Sequence, residues 1–386
     1  MTVADHLYTP PAADAKVEAA VTRKVGAHET TKPAVAVEEQ LVYVKVVRSF
    51  ALLGIIILHV AFPLIYLYNS IDYADWWIAN NFYMMGKIGS PLFTMVSGLL
   101  LLNPGKDQPI SLFFRKRFFK VLWPFVAWSL IYLIWQIEIV GTRFTPQEIV
   151  RLFVEGPVYY HLWFIQMILG LYLATPILRI YTRHANRENL TYFLVIWLVT
   201  VAIMPMTQRF FGIAVGIDVV VTTGYVGFFV LGHYLREVTL TRRQVLPVLL
   251  IVVGALLFTQ FITHALTVAN EGTFDNFFVA NDSLNLIVVA VGLFLFFKSI
   301  DYTALFQRLP WLERIILGIS SCSLGIYFVH VLIIDELASG HFGFQVMAAS
   351  FHPLLSIPAI ALLTLGLSLL VTLVLKQIPY VRSIVP

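Results

Sequence analysis

The sequence predicts an all-α, polytopic membrane helix bundle of about ten transmembrane helices, from its composition, the spacing of its apolar runs and the one-sidedness of its basic residues. Of 386 residues, 59% are hydrophobic and 12% charged, whereas soluble domains run roughly 45–50% and about 25%. Such a chain cannot hide its apolar surface in water. Apolar runs fall at 41–68, 82–103, 118–138, 161–180, 190–206, 217–235, 244–268, 283–300, 314–334 and 354–376, each near the ~20 residues that a helix needs to cross hydrocarbon. The fifth, interrupted by Met204, Pro205 and Met206, is the shortest, and losing it would invert every loop that follows.

The basic residues support ten crossings. With the amino terminus in the cytoplasm, every Lys and Arg lies on the inner side except Arg143, Arg151 and Arg209 outside and Lys87 within the second span. That asymmetry is the positive-inside pattern, and it places both termini in the cytoplasm.

Residues 1–40 are polar and rich in Ala, Pro, Thr and Glu. They read as a disordered cytoplasmic tail rather than a signal peptide, because no basic start precedes an apolar core. Residues 41–386 form one membrane domain. The single cysteine, Cys322, excludes a disulfide framework and a thiolate metal site. A pI near 9.0 does not point to nucleic acid, since the basic residues sit between apolar spans rather than along one soluble face. No solenoid repeat is visible, nor the paired broken helices of many transporters.

Ionisable residues inside a span are functional candidates by default. In RSFALLGIIILH, Arg48 and His59 are eleven residues apart, which puts them about 20° apart on one helix face and ~16 Å apart along it. Arg48 lies near the cytoplasmic edge and His59 towards the outer half. An acyl-coenzyme A thioester, with phosphates at one end and a reactive acyl group at the other, fits that span: arginine forks two hydrogen bonds to phosphate and a neutral imidazole takes a proton from an attacking hydroxyl. Two plainer roles stand beside this one. Arg48 also suits a snorkelling contact with lipid phosphate, and His59 a hydrogen bond between packed helices.

Further segments follow in order: PLFTMVSGLLLL at 91–102, FFRKRFFKVLWPFVAW at 113–128, HLWFIQMILGLYLATPIL at 161–178 and SLGIYFVH at 323–330. Together with the arginine, ten residues, histidine signature, this series resembles the acyltransferase-3 family of membrane-bound O-acyltransferases that modify bacterial surface glycans. The resemblance covers roughly residues 41–378 and also implies ten spans. It implies transfer of an acyl group, commonly acetyl, from cytoplasmic acyl-coenzyme A (acetyl-coenzyme A as the usual donor) to a hydroxyl of an extracytoplasmic glycan, exopolysaccharide or lipid-linked sugar, in the bacterial inner membrane. His59 would be the base or acyl relay and Arg48 a catalytic and donor-binding residue. Arg115, Lys116 and Arg117 would hold donor phosphates, unless they are an ordinary basic cluster facing anionic lipid. His161, Trp163 and His330 match family motifs as substrate contacts, with helix packing as the alternative. The tail is longer than is usual in the family and no hydrolase-like domain follows the last span, so the chain is expected to act alone or to hand acyl groups to a partner such as a polysaccharide synthase or export protein.

No metal is expected, since no two histidines have i, i+4 spacing and none lies close to an intramembrane acid. Asp335, five residues after His330, is ~140° away on a continuous helix. An acid that orients His59 would have to come from Glu138 or Asp335. Ser97 with Gly98, and Gly54, Gly86, Gly89 and Gly170, read as close-packing positions, and Trp76 and Trp77 as interfacial anchors. A glycan or lipid transporter and a scaffold subunit of an export complex are the alternatives to the enzyme.

Overall fold

In the computed structural model the described residues are 33–103, 108–217, 224–341 and 343–386, with side chains from residue 42 onward. Residues 1–42 and 43–386 form two compact units. Of the first, only the backbone from Pro33 is described, and it is helical. The tail expected over 1–40 therefore lies outside the described residues as far as residue 32. From there proline, which fits the first turn of a helix, opens α1 (Pro33–Ile65) ahead of the expected boundary.

Helices follow without a strand among the described residues: α2 (Tyr73–Lys87), α3 (Gly89–Leu101), α4 (Ile110–Arg117), α5 (Trp123–Glu138), α6 (Pro146–Val154), α7 (Trp163–His184), α8 (Arg187–Leu198) and α9 (Met204–Phe211). The chain continues with α10 (Val226–Tyr234), α11 (Arg242–Ala269), α12 (Leu284–Lys298), α13 (Tyr302–Arg308), α14 (Pro310–Ser339) and α15 (Pro353–Gln377). Nine stretches among the described residues are long and apolar enough to cross a bilayer, and they match nine of the ten expected runs in order. At the remaining run, 217–235, the described part includes α10, whose residues Gly227–Gly232 are all buried; residues 218–223 lie outside the description.

The fifth run is not broken at Pro205. A π-helical turn at Val199–Ile203 joins α8 to α9, and Arg187–Phe211 is one apolar stretch. A second π turn, Phe118–Leu122, precedes Pro124 in the same way. A proline ring clashes with the carbonyl four residues back, and in both places that residue, Lys120 or Val201, lies within the π turn. The wider turn lets each helix continue through its proline.

Hydrogen bonds tie the helix ends into two groups. At one end Arg179 Nε reaches the Leu101 carbonyl at 2.7 Å, Arg236 reaches Asn103 at 3.0 Å, and Lys376 reaches the Ser321 carbonyl at 3.2 Å. Arg48 donates to Ser323 at 2.7 Å at this same basic end. At the far end Asn69 donates to the Glu271 carbonyl, Tyr159 to Asp335 and Trp135 to Glu336. The basic residues thus gather as their spacing along the sequence predicts.

Helix packing uses small residues and inward-facing polar ones, as it must where lipid is as apolar as the core. A Cβ on Gly86 would lie 2.4 Å from the Gly54 carbonyl oxygen, and one on Gly98 1.8 Å from that of Phe229. These helices touch backbone to backbone. Gly170 meets nothing within 4 Å, so its assignment to close packing is corrected: it faces outward. Trp76 is likewise a core residue rather than an interfacial anchor, fully buried and donating to the Ile65 carbonyl at 2.9 Å. Helix α11 has only 17% of its apolar window buried, yet Thr259, Gln260, Thr263 and Thr267 are all buried. Gln260 accepts from Asn80 at 2.8 Å and Thr259 from Asn285 at 2.6 Å, which fastens α11 to α2 and α12. Between spans, Thr145 and Glu148 form a capping box for α6, and the Thr145 backbone N–H and hydroxyl hold the Glu148 carboxyl below its ordinary pKa.

Two glycine substitutions separate contact from exposure. Gly98→Val is expected to cost about 2–5 kcal/mol by driving α3 from α10, read as loss of the monodisperse peak in size-exclusion chromatography. Gly170→Ala is expected to melt no lower than the parent.

Candidate active site

The site begins with α1, which carries Arg48 and His59 on one continuous helix. Gly54 on α1 and Gly86 and Gly89 on α2 and α3 bring the backbones together over this stretch. Three imidazoles meet one turn beyond. The His59 ring lies 5.2 Å from that of His330 and 6.4 Å from that of His161, and the latter two are 5.4 Å apart. His59 comes from α1, His161 from a single 3-10 turn (Tyr160–Leu162) that leads into α7, and His330 from α14. Three elements distant in sequence thus converge at one level of the bundle.

His161 and His330 are both fully buried, and four ring nitrogens in the cluster have no hydrogen-bond partner: His59 Nδ1, both nitrogens of His161 and His330 Nε2. An orphaned buried polar atom costs about 1–3 kcal/mol, and here four of them lie on three adjoining rings. That concentration makes the cluster the candidate reacting centre. The tautomer of His330 follows from its one bond: Nδ1 lies 2.6 Å from the Tyr327 carbonyl oxygen, which can only accept. Nδ1 therefore carries the proton, and the neutral ring offers the lone pair of Nε2 to the cluster.

Tyr132 of α5 holds this part of α14 in place. Its hydroxyl donates to the Phe328 carbonyl at 2.8 Å and accepts from the Leu332 N–H at 3.1 Å. These are the two groups that one rung of the helix would join, so the phenol sits on the ladder beside His330. Its ring lies 4.9 Å from that of His161, and the Tyr327 hydroxyl donates to the His161 carbonyl.

From the basic end a cavity of about 620 Å³ runs toward the cluster. Its lining includes Arg48, Lys116, Arg117, Lys120 and Arg179, then Ser97, Ser320 and Ser323, and finally Phe93, Phe164 and Tyr327. Tyr327 closes the inner end, with its ring 5.6 Å from His161 and 5.4 Å from His330. Arg117 is held by aromatic faces, 5.1 Å from the Phe113 ring and 5.3 Å from the Tyr172 ring, and its Nε is buried without a partner. The cavity is cationic at its mouth, hydroxylic in its middle and aromatic at its end.

Of the residues predicted from sequence, His59, His161 and His330 come together, and Arg48, Lys116 and Arg117 share the cavity. Arg115 is exposed and does not line it. Trp163 contacts Tyr225, 5.7 Å between ring centres, rather than the histidines. Neither suggested acid orients His59: Asp335 accepts from Tyr159 at 2.7 Å, and Glu138 is exposed. Among the described residues no group of His, Cys, Asp and Glu has an arrangement that could hold a metal ion. Lys120, Arg179 and Tyr132 are the residues that sequence reading missed. The two cations were counted only toward topology, and Tyr132 acts through a helix nearly two hundred residues away.

Tyr132→Phe keeps the ring and removes the hydroxyl from the α14 rung. It is expected to lower turnover about tenfold and thermal stability by about 1–2 kcal/mol, measured on the purified variant by steady-state kinetics and melting.

Searches of curated proteins and of solved structures give no match. The family model described as Acyltransferase domain matches residues 41–373, a range that contains the three histidines and nearly all of the lining of the basic cavity. This membrane-embedded chain therefore belongs to the acyltransferase-3 family and is an acyltransferase.

Proposed function

We propose that the chain moves an acyl group, acetyl in the simplest case, from cytoplasmic acyl-coenzyme A to a hydroxyl of an extracytoplasmic glycan, exopolysaccharide or lipid-linked sugar. The protein would sit in the bacterial inner membrane with the basic end and both termini in the cytoplasm, as the positive-inside rule orients it. One observation carries the reading: the cavity starts among five cations and ends at Tyr327, whose ring touches His161 and His330. Arg48, Lys116, Arg117, Lys120 and Arg179 suit the donor phosphates at the mouth. The hydroxyl-lined middle suits the pantetheine arm, and the arm's length matches the ~16 Å that separates Arg48 from His59 along α1.

In this reading the acceptor hydroxyl reaches the cluster from the far end. A ring nitrogen of His59 removes the hydroxyl proton as the oxygen attacks the thioester carbonyl carbon, and the carbonyl electron pair moves onto its own oxygen. Collapse of that intermediate breaks the carbon–sulfur bond. The thiolate takes the proton back from the imidazolium, leaving the ester, coenzyme A and a neutral His59. Donation by His330 Nδ1 to a carbonyl leaves the Nε2 lone pair free on a ring 5.2 Å from that of His59, which suits a ring that must become charged and neutral once per cycle. A polysaccharide synthase or export protein would supply the acceptor chain.

His59→Ala is expected to lower acyl transfer by about 10²–10⁴-fold with an unchanged elution profile, measured as release of coenzyme A from acetyl-coenzyme A by protein in nanodiscs. Unchanged transfer would exclude the assignment. Arg117→Ala is expected to raise the KM for acetyl-coenzyme A about tenfold and to leave that for acetyl-pantetheine, which lacks the phosphates, unaltered. Equal effects on both donors would remove Arg117 from phosphate binding. Glycan export lost on deletion, with no thioester turnover by the pure protein, would favour a transporter.

A further inference from the structure

One cation stands apart from the basic end. Lys87 closes α2 between Gly86 and Gly89, whose contacts with Gly54, Leu58 and Ala51 lock it beside the turn of α1 that carries His59. Its ammonium lies 5.4 Å from the Tyr83 ring. Tyr83 leads through Phe62, 6.1 Å away, to Tyr160, whose ring is 5.3 Å from that of His59. The Lys87 ammonium lies within electrostatic range of His59 and of Asp282, but among the described residues no carboxylate lies within ion-pair distance of it and no acceptor takes its protons. A bare ammonium inside a membrane bundle is costly.

The groups around it are also incompletely matched. Asn281 donates to the Tyr225 hydroxyl, yet its Oδ1 is buried without a partner. Tyr225 bonds Ser90 as well, one turn from Lys87, and its ring packs on Trp163. Asp282 adjoins a separate cavity of about 280 Å³ shared with Ser283, Pro205, Met206 and Phe278. None of Lys87, Asn281, Asp282 and Tyr225 lines the donor cavity.

We infer that Lys87, Asn281 and Asp282 form an acceptor subsite for an uncharged pyranose, beside His59 and apart from the donor cavity. Neighbouring hydroxyls of a sugar accept from the ammonium and donate to the amide oxygen and the carboxylate, which satisfies both kinds of vacancy. The nearby aromatic rings suit the apolar face of the sugar. Asp282 decides against an anionic acceptor, since a uronate or phosphate beside Lys87 would also meet that carboxylate. The subsite rests on the acyltransfer reading above, and its test has a readout that does not need the reaction.

Saturation-transfer NMR on the full chain in nanodiscs, with methyl β-glucopyranoside and methyl β-glucuronide as probes, is expected to detect binding of the glucoside alone. Lys87→Met should abolish that signal. In acetyl-coenzyme A kinetics it should raise the KM for glucoside by about tenfold or more while the KM for the donor moves less than about twofold. Asp282→Asn should admit the glucuronide. Lys87→Arg, which keeps the charge, should bind glucoside and shows that a silent Lys87→Met is not merely unfolded. The inference is overturned if the parent binds glucuronide as well as glucoside, if it binds neither, or if Lys87→Met shifts both KM values together. Glucoside binding without any thioester turnover would keep the subsite and remove the donor reading.

Discussion

Water is absent from the hydrocarbon core, and this one constraint orders the whole molecule. Every polar group within the spans must find a partner in the protein. Thr259 and Gln260 of α11 obey by bonding Asn285 and Asn80, and Trp76 and Tyr132 by bonding to backbone carbonyls. Buried polar atoms without a partner occur singly elsewhere, as at Ser129, Thr263 and Ser368, but at His59, His161 and His330 four ring nitrogens gather in one place. In a soluble protein a stray water would relieve such atoms, and their vacancy would mean little. In a bilayer that relief is scarce, so the gathering of such atoms on three adjoining rings is the feature on which the proposed reading rests.

The geometry of the helices answers to the same constraint. A proline within a span normally frees a carbonyl and kinks the helix. Here π turns ahead of Pro124 and Pro205 take up the mismatch, so the third and fifth spans cross without exposing backbone. The first of these turns includes Lys120, which lines the basic cavity. Glycine has the complementary role: by letting α1 approach α2 and α3 at Gly54, Gly86 and Gly89, it fixes the helix that carries both Arg48 and His59.

Much of this was legible in the sequence, because a bilayer reduces folding to few choices. Spans, their order and the side of the basic loops follow from hydropathy and charge, and the shared face of Arg48 and His59 from helical period, while the role expected of that pair came with the family resemblance. What could not be read is what several helices build together. No pattern links His161 and His330 to His59, since each lies on a different element, and the family motifs that contain them do not say that they touch. The same limit explains Trp76, whose place inside the bundle depends on the end of α1, and Gly170, whose outward face depends on which neighbours α7 lacks. Lys87 was visible only as a charge that fitted neither side of the membrane.

The inner end of the basic cavity has a consequence for the membrane as an electrical insulator. Tyr327, His161 and His330, all buried, stand between the cationic mouth and the far side. On the proposed reading, the charged bulk of the donor never leaves its own compartment and the sugar never leaves its own. Only a small neutral fragment changes owner at the level of the histidines. The cell would thereby export chemical modification without opening a pore, and the proton gradient across that membrane would not be spent on the transfer.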